Sequence, residues 1–484
     1  MGGKPLGDGQ AQPPGLLTGA LPEGSSAQDC TSRPHSVRGI VDQQRRLIVR
    51  AVGALVAWGA LYLVVAIIGD HLRDLGSHLG LPAVPLTGHW GVQIDSRVLP
   101  ALAFAVVVIV AAPALAARLP WRWLLVASAA VTAMWAVLLA VCDGWLGVTG
   151  PVRSTFEYLA FVPRVRGPGE FVRTFVARVS EYPVSNYPVH VRGHPPGMIL
   201  LLEAMDRLGL TGAGWAAAVM IGGYAAGVAA LLVIVRSVAD ERAARLAAPF
   251  VALAPAAVYV ASSADGLYAG VGLVVVALFA LATERWDRMG DLLAISAGVL
   301  FGVGLHLSYG LALVALPFAG LAVMRRRARP LALAIVGTAL VTVSFVATGF
   351  WWLDGLHATQ GQYRKGVAGR RPYRYFVWAD LAVFGVIIGP AAVAALGCVR
   401  RAGRAGVGRR WWLVPATGLL LVLIADVSGM AKAEVERIWL FLVPPVVAGT
   451  AFLVRRSTSQ VARIWLALQV LAGLALQVSL RSAW

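Results

Sequence analysis

The sequence predicts an all-α membrane protein, a polytopic helical bundle of about 13 transmembrane spans. Hydrophobic residues make up 58% of the 484 residues and charged residues only 14%, whereas soluble domains carry about 25% charged residues. The apolar residues lie in stretches close to the length of about 20 residues that a helix needs to cross a bilayer. We expect spans at residues 47–69, 98–117, 123–142, 213–235, 245–262, 266–283, 291–308, 309–324, 331–348, 376–398, 412–428, 438–454 and 463–480.

The distribution of charge predicts how these spans are oriented. The net charge is +18, but the arginines lie in short clusters between spans, such as Arg325–Arg327, rather than on one continuous surface. Short basic connectors are typical of cytoplasmic loops, so we expect a lipid bilayer as partner and no nucleic acid. Arg45, Arg46 and Arg50 precede the first span and predict a cytoplasmic N-terminus. An odd number of spans then places the C-terminus outside the cell membrane.

Composition divides the chain into a tail and two membrane regions. Residues 1–46 are rich in Gly, Pro, Ser and Gln without apolar periodicity, which predicts a disordered cytoplasmic tail rather than a signal peptide. Residues 47–348 form the first predicted membrane region, with one large outer loop after the third span, the long loop (143–196). Residues 349–484 form the C-terminal membrane region, which opens with an outer basic loop (349–375).

The long loop closes on His194-Pro195-Pro196-Gly197. Consecutive prolines cannot continue a helix but start one well, so we expect a short helix over 198–210. A Leu208-Gly209 turn, a long helix ending at Arg236 and the segment Ser262-Ser263-Ala264-Asp265 follow. This order of features resembles the GT-C superfamily of polytopic glycosyltransferases. The resemblance is to the branch that contains protein O-mannosyltransferases and lipid A aminoarabinose transferases.

The resemblance covers roughly residues 123–365 and implies a function. It implies a sugar donor carried on polyprenyl phosphate and transfer on the outer face to a glycan, lipid or protein acceptor. It also implies that residues 47–348 form the catalytic region, with a catalytic carboxylate in the first large outer loop. Two features depart from the family pattern. The large loop follows the third span instead of the first, and Gly197 stands where a larger apolar residue is usual.

Three carboxylates are candidate catalytic residues, because transfer to a hydroxyl needs a base that takes the acceptor proton. Asp143 follows the third span at the membrane boundary, where a charged group is costly and therefore informative. Glu157, followed by Tyr158, better matches the acidic–aromatic pair of the family. The sequence leaves the choice between Asp143 and Glu157 open, and either could instead be an ordinary polar loop residue. Asp265, at the outer end of a span, is expected to order the site or to cap its helix.

The departing phosphate needs cations or hydrogen-bond donors. Residues 360–374 are basic although they lie on the predicted outer side, and residues 432–437 face the same compartment. An anionic lipid-linked substrate would account for this charge, as would attraction to anionic lipid head groups. The candidate phosphate-binding residues are His190, Arg192, His194, Lys365, Arg370, Arg371, Lys432 and Arg437. We therefore expect the long loop, the basic loop and the connector at 429–437 to enclose one site.

No cofactor is predicted. His190 and His194 are four residues apart, but Gly193 and Pro195 argue against a helical zinc site. The three cysteines provide neither a disulfide framework nor a metal cluster. Some relatives within the superfamily use a divalent metal held by carboxylates, which keeps a metal open, yet the sequence pairs no second carboxylate with Asp143.

Two other functions fit a chain of this kind. A transporter or flippase of a lipid-linked sugar would carry charges in mid-helix and internal repeats, and neither is clear in this sequence. A non-catalytic membrane subunit of a cell-wall assembly complex, with a degenerate site, is the other alternative.

Overall fold

The computed structural model describes Gly2 and residues 37–181, 187–261, 263–398, 410–455 and 457–482. Most of the predicted tail lies outside the described residues, as do Cys30, Ser262, Arg456 and the arginines between 399 and 409. Residues 46–484 form one compact unit. Its two short strands, β1 (His89–Trp90) and β2 (Leu480–Arg481), pair antiparallel.

Helices form nearly all of the described structure, and the first begins at Val37, within the segment predicted as a tail. In chain order they are α1 (Val37–Asp74), α2 (Val98–Arg118), α3 (Trp121–Val141), α4 (Trp145–Thr149), α5 (Pro168–Ser180), α6 (Val189–Gly193), α7 (Gly197–Arg207), α8 (Ala213–Val238), α9 (Glu241–Ala252), α10 (Asp265–Glu284), α11 (Arg288–Leu307), α12 (Ala315–Arg325), α13 (Ala328–Ala347), α14 (Trp352–Lys365), α15 (Val367–Arg370), α16 (Tyr373–Ile388), α17 (Pro390–Leu396), α18 (Leu413–Val427), α19 (Val435–Ile438), α20 (Val443–Val447), α21 (Thr450–Val454) and α22 (Ser459–Ser479). Short 3₁₀ turns lie at Pro151–Arg153, Leu159–Arg164, Pro255–Tyr259, Tyr309–Val314 and Leu440–Leu442.

Eight helices of the described chain are long and apolar enough to cross a membrane: α1, α2, α3, α8, α10, α11, α13 and α22. A ninth results if α16 and α17, which meet at a bend of 116°, count as one span. The all-α polytopic prediction is therefore confirmed, but the count of 13 is not. Three other predicted spans correspond to apolar helices of fewer than 18 residues, at Tyr309–Arg325, Leu413–Val427 and Leu440–Val454. The remaining two are interrupted at Pro255 and Pro390, where helical hydrogen bonding breaks.

Small residues bring α8 and α10 into close contact. A Cβ atom at Gly270 would lie 1.9 Å from the backbone oxygen of Gly223, and one at Gly227 would lie 2.7 Å from the Cα of Gly270. Glycines spaced in this way let helix backbones approach closely inside a membrane. The contact fixes the position of α10, and therefore of Asp265 at its first residue.

The short basic connectors meet at one end of the bundle, the basic end. Arg245 donates from Nη1 to the backbone oxygens of Ala116 (2.7 Å) and Leu119 (2.9 Å). Arg325 donates to the backbone oxygen (2.9 Å) and the hydroxyl (2.7 Å) of Ser237. These bonds join the α2–α3, α8–α9 and α12–α13 connectors, which the charge pattern assigned to one side of the membrane.

The three segments predicted to enclose a site meet at the other end, the polar end. The Thr359 hydroxyl, in the basic loop, donates to the backbone oxygen of Arg192 in the long loop (2.9 Å). Lys432, in the connector at 429–437, donates from Nζ to the backbone oxygen of Arg371 in the basic loop (3.0 Å). The 20 residues of α10 separate the two ends by about 30 Å. That the polar end faces away from the cytoplasm remains a prediction.

Candidate active site

The His-Pro-Pro motif starts a helix, as the sequence predicted. α7 begins at Gly197, directly after Pro196, and ends at Arg207. A Cβ atom at Gly197 would lie 2.2 Å from the backbone oxygen of His306, at the end of α11. Glycine is therefore required for α7 to lie against α11, which accounts for the departure from the family pattern at this position.

The polar end holds a cluster of charged side chains, the Arg437 cluster, drawn from three distant segments. Arg437 donates from Nη1 to Oδ2 of Asp265 (2.8 Å) and from Nη2 to Oε2 of Glu434 (3.0 Å). The same Nη2 lies 2.8 Å from Nε2 of His190. The other ring nitrogen of His190, Nδ1, lies 2.6 Å from Oε1 of Glu157. A chain of polar contacts thus runs from α10 through the 429–437 connector to the long loop.

These contacts determine how His190 is protonated. A guanidinium can only donate, so Nε2 of His190 accepts from Arg437. The ring proton is then assigned to Nδ1, the nitrogen that lies 2.6 Å from Oε1 of Glu157. Arg437 therefore sets the tautomer of His190, and His190 in turn orients Glu157.

The cluster is almost completely removed from solvent. The relative exposures of Glu157, Asp265 and Arg437 are 3%, 5% and 4%. Burial alone would lower the pKa of Arg437, but the Asp265 and Glu434 carboxylates outweigh it and raise that pKa. Burial acts to raise the pKa of Glu434, and the neighbouring arginines, Arg437 and Arg371, lower it overall. Charges buried at the end of a membrane bundle are expensive, and such groups are characteristic of functional sites.

The backbone that presents Arg437 is itself unusual. Ala433 and Glu434 both have positive φ angles, 68° and 62°, in the left-handed region that costs non-glycine residues energy. The backbone N–H groups of both residues bond to side chains of other segments. That of Ala433 donates to Oδ1 of Asp380 (3.1 Å), and that of Glu434 donates to the hydroxyl of Thr87 (3.2 Å). Strained backbone of this kind concentrates at functional sites.

Aromatic rings line the side of the cluster next to the motif. The hydroxyl of Tyr268 donates to that of Tyr158 (3.1 Å). The ring of His194 lies near both tyrosines, with centroid distances of 5.4 Å to Tyr268 and 5.9 Å to Tyr158. Burial lowers the pKa of His194 from its usual 6.5, so this imidazole is neutral at neutral pH.

Asp143, the first candidate base, lies in a different set of contacts. Its carboxylate pairs with Arg481, which follows the last helix, and accepts from Nε2 of Gln477 in α22 (2.8 Å). These contacts tie the C-terminal helix to the start of the long loop. The structure brings Glu157 and Asp265 together through Arg437 and His190, and it gives Asp143 no direct contact with that group.

The predicted phosphate-binding residues fall into three groups. Arg437 and His190 belong to the Arg437 cluster, while Arg371 and Lys432 bond to each other's backbone. Lys365 and Arg370 are exposed and His194 is half-buried. Arg192 is half-buried too, and its Nε atom has no hydrogen-bond partner among the described residues. Arg192 therefore has a donor that can receive a new anionic partner.

Sequence reasoning missed several members of this site. It did not assign Glu434 a role, treating the charges of 432–437 as a group that could pair internally; the Glu434–Arg437 pair is indeed such a contact. It also missed Ser263, whose hydroxyl donates to Oδ2 of Asp265 (2.7 Å), and Tyr268. Tyr268 follows Asp265 by three residues and so lies on the same face of α10, a spacing that the sequence displays.

A divalent metal does not fit the Arg437 cluster. The guanidinium of Arg437 already bridges the carboxylates of Asp265 and Glu434, so the position that a cation would take between them is filled by a side chain. Nowhere in the described ranges do three or more His, Cys, Asp or Glu side chains form a group that could hold a metal ion.

Comparison with known proteins gives only distant structural matches. No protein-family model and no curated protein matches the chain. Among solved structures it is similar to an oligosaccharyltransferase of Archaeoglobus fulgidus in complex with zinc and sulfate, with a TM-score of 0.38 and 15% sequence identity. The match covers 72% of this chain and 53% of that protein, so this chain spans about half of its length. That protein is a glycan-transferring enzyme by name. A likeness this distant says nothing about substrate or residue roles. The apolar helices by themselves define a multi-pass membrane protein.

Proposed function

We propose that this protein is a membrane glycosyltransferase that moves a sugar from a polyprenyl-phosphate donor to an acceptor on the outer face of the cell membrane. The observation that supports this most is the Arg437 cluster. In it, Glu157 of the long loop is connected through His190 and Arg437 to Asp265 of α10. Keeping the charged groups of Glu157, Asp265 and Arg437 and the ring of His190 away from water is costly, and catalysis is a function for which a protein would retain them.

Glu157 is our candidate for the base. In the proposed step the acceptor hydroxyl gives its proton to Glu157 while its oxygen attacks the anomeric carbon of the sugar. The bond from that carbon to the phosphate oxygen breaks, and the electron pair leaves with the polyprenyl phosphate. Because Glu157 is only 3% exposed, the acceptor can reach it only if the long loop moves, as loops over active sites commonly do.

Arg192 is our candidate for the phosphate. It belongs to α6, three residues before the prolines of the motif, and has an unpaired donor. A guanidinium can bind two phosphate oxygens at once, which suits a departing phosphate. The two terminal nitrogens of Arg437 already pair with the carboxylates of Asp265 and Glu434. We therefore assign Arg437 to positioning His190 and Glu157, with no direct contact to substrate.

The test is sugar transfer by the purified protein in lipid nanodiscs, with radiolabelled polyprenyl-phosphate sugars as donors. Glu157→Gln should lower the rate by about 10²- to 10⁴-fold, the usual effect of removing a general base. Glu170→Gln is the matched control, because Glu170 is an exposed glutamate of the same long loop. Arg192→Gln should raise the donor KM more than Glu170→Gln does.

Two results would contradict the proposal. Full transfer by Glu157→Gln together with loss in Asp143→Asn would move the base to Asp143. No transfer by the wild type, but movement of the intact lipid-linked sugar between leaflets of a vesicle, would favour a flippase instead.

A further inference from the structure

A cavity lies in the half of the bundle opposite to the Arg437 cluster. Its volume is about 820 Å³, and its walls are mostly aliphatic or aromatic, including Leu231, Leu273, Leu321, Leu421 and Phe441. These residues come from α8, α10, α12, α18 and the turn at Leu440–Leu442. An apolar cavity of about 150 Å³ already binds benzene, and this one is more than five times as large.

Polar side chains line the cavity at the basic end of the bundle. They are Ser237, Arg325 and Arg410. Among the residues of α10 that line the cavity, Gly272 lies nearest the polar end of the bundle. It is seven residues from Asp265, or about 10 Å along the helix. The cavity therefore starts below the Arg437 cluster and opens towards the other membrane surface.

The two arginines that line the cavity at the basic end differ in what they bind. Arg325 uses its guanidinium fully, since its bonds reach Thr283 (2.6 Å), Ser237 (2.7 Å) and Glu284 (3.2 Å). Arg410 is exposed, and in the part of the chain that the structure describes no carboxylate pairs with it. Among the described residues, an apolar chamber thus opens beside a cation, Arg410, that no carboxylate compensates.

We propose that this cavity binds an anionic phospholipid from the leaflet at the basic end of the bundle. Its hydrocarbon chains occupy the apolar chamber and its phosphate pairs with Arg410. The combination of chain volume, apolar walls and a cation at the rim matches both parts of such a lipid. A polyprenyl-phosphate donor would enter from the opposite surface, with its phosphate near Arg192, and would not depend on Arg410.

The test is native mass spectrometry of the purified protein with phosphatidylglycerol, phosphatidylcholine of the same chains, or polyprenyl phosphate. Gly320→Phe fills the chamber, because a Cβ atom at Gly320, which lines it, meets no atom within 4 Å. Gly59→Phe is the matched control, an exposed helical glycine with equal space that does not line the cavity. Arg410→Gln removes the cation, and Arg288→Gln removes an exposed arginine elsewhere on the same end.

We expect the wild type and both controls to retain phosphatidylglycerol in preference to phosphatidylcholine, and Gly320→Phe to lose it. Arg410→Gln should reduce the preference about fivefold, the factor that corresponds to about 1 kcal/mol for one head-group contact. Because Arg410 is exposed, that variant keeps its fold even if Gly320→Phe does not. The proposal is overturned if Gly320→Phe, once shown to be folded, retains the lipid, or if Arg410→Gln keeps the full preference. Polyprenyl phosphate displacing phosphatidylglycerol independently of Arg410 would also overturn it.

Discussion

Replacing Arg437 by methionine should destabilise the protein severely, and the geometry fixes the size of the effect. The substitution leaves the carboxylate of Asp265, 5% exposed, without the cation 2.8 Å away. Breaking a buried ion pair from one side costs about 3–5 kcal/mol in the free energy of unfolding. The His190 ring also loses the donor to its Nε2, so its orientation toward Glu157 is released.

The assay is equilibrium unfolding in mixed micelles, followed by tryptophan fluorescence. Arg329→Met is the control, because Arg329 pairs with Asp291 at 2.6 Å but with its side chain 73% exposed, and exposed pairs contribute about 0–1 kcal/mol. The double variant Arg437→Met/Asp265→Leu should recover more than about 1 kcal/mol of the single loss, since apolar replacement of both partners is often tolerated. The buried Arg437–Asp265 pair would be refuted if Arg437→Met lost no more free energy of unfolding than Arg329→Met. It would also be refuted if the losses of Arg437→Met and Asp265→Leu simply added in the double variant.

Three further predictions follow from the local geometry. Gly197→Leu should lower the free energy of unfolding by about 1–3 kcal/mol, as is typical of overpacking, and with it the melting temperature, because the new Cβ would meet the backbone oxygen of His306. Gly193→Leu is the control and should be nearly neutral, because a Cβ there meets no atom within 4 Å. Equal losses in both variants would contradict the contact with His306. Because burial lowers the pKa of His194 below 6.5, the unfolded chain binds the extra proton, so stability should fall as the pH drops below about 6.5; a His194→Gln variant that keeps the same pH dependence would assign it to another group. Burial and the adjacent carboxylate raise the pKa of Cys142 to about 11, so alkylation by iodoacetamide at about pH 8 should be far slower than for a free thiol of pKa about 8.5, and reaction at the free-thiol rate would contradict the burial.

Hydropathy and arginine placement predicted the helices and the grouping of their ends because both depend on single residues and their neighbours in sequence. The eight long apolar helices follow from hydropathy, and the gathering of the basic connectors at one end, where Arg245 and Arg325 bond, agrees with the arginine placement. The count of 13 spans is not confirmed, because hydropathy alone does not separate a full span from the shorter apolar helices Tyr309–Arg325, Leu413–Val427 and Leu440–Val454 or from the segment that Pro255 interrupts.

The composition of the site could be predicted only in part, because it depends on contacts between distant segments. Glu157, His190, Asp265 and Arg437 were all candidates, but Arg437 and Asp265 are 172 residues apart, and no spacing rule links them. From the sequence, Arg437 was predicted to bind phosphate. Its two carboxylate partners instead support a structural role, and we propose Arg192 as the phosphate ligand.

The account requires above all that the polar end, with the Arg437 cluster, faces away from the cytoplasm. The direct measurement is labelling of single cysteines in intact cells with a membrane-impermeant maleimide, after Cys30, Cys142 and Cys398 are replaced by serine. Arg370→Cys, exposed at the polar end, should be labelled in intact cells, and Arg288→Cys, exposed at the basic end, only after the membrane is opened. The reverse pattern would contradict the proposed outer-face transferase.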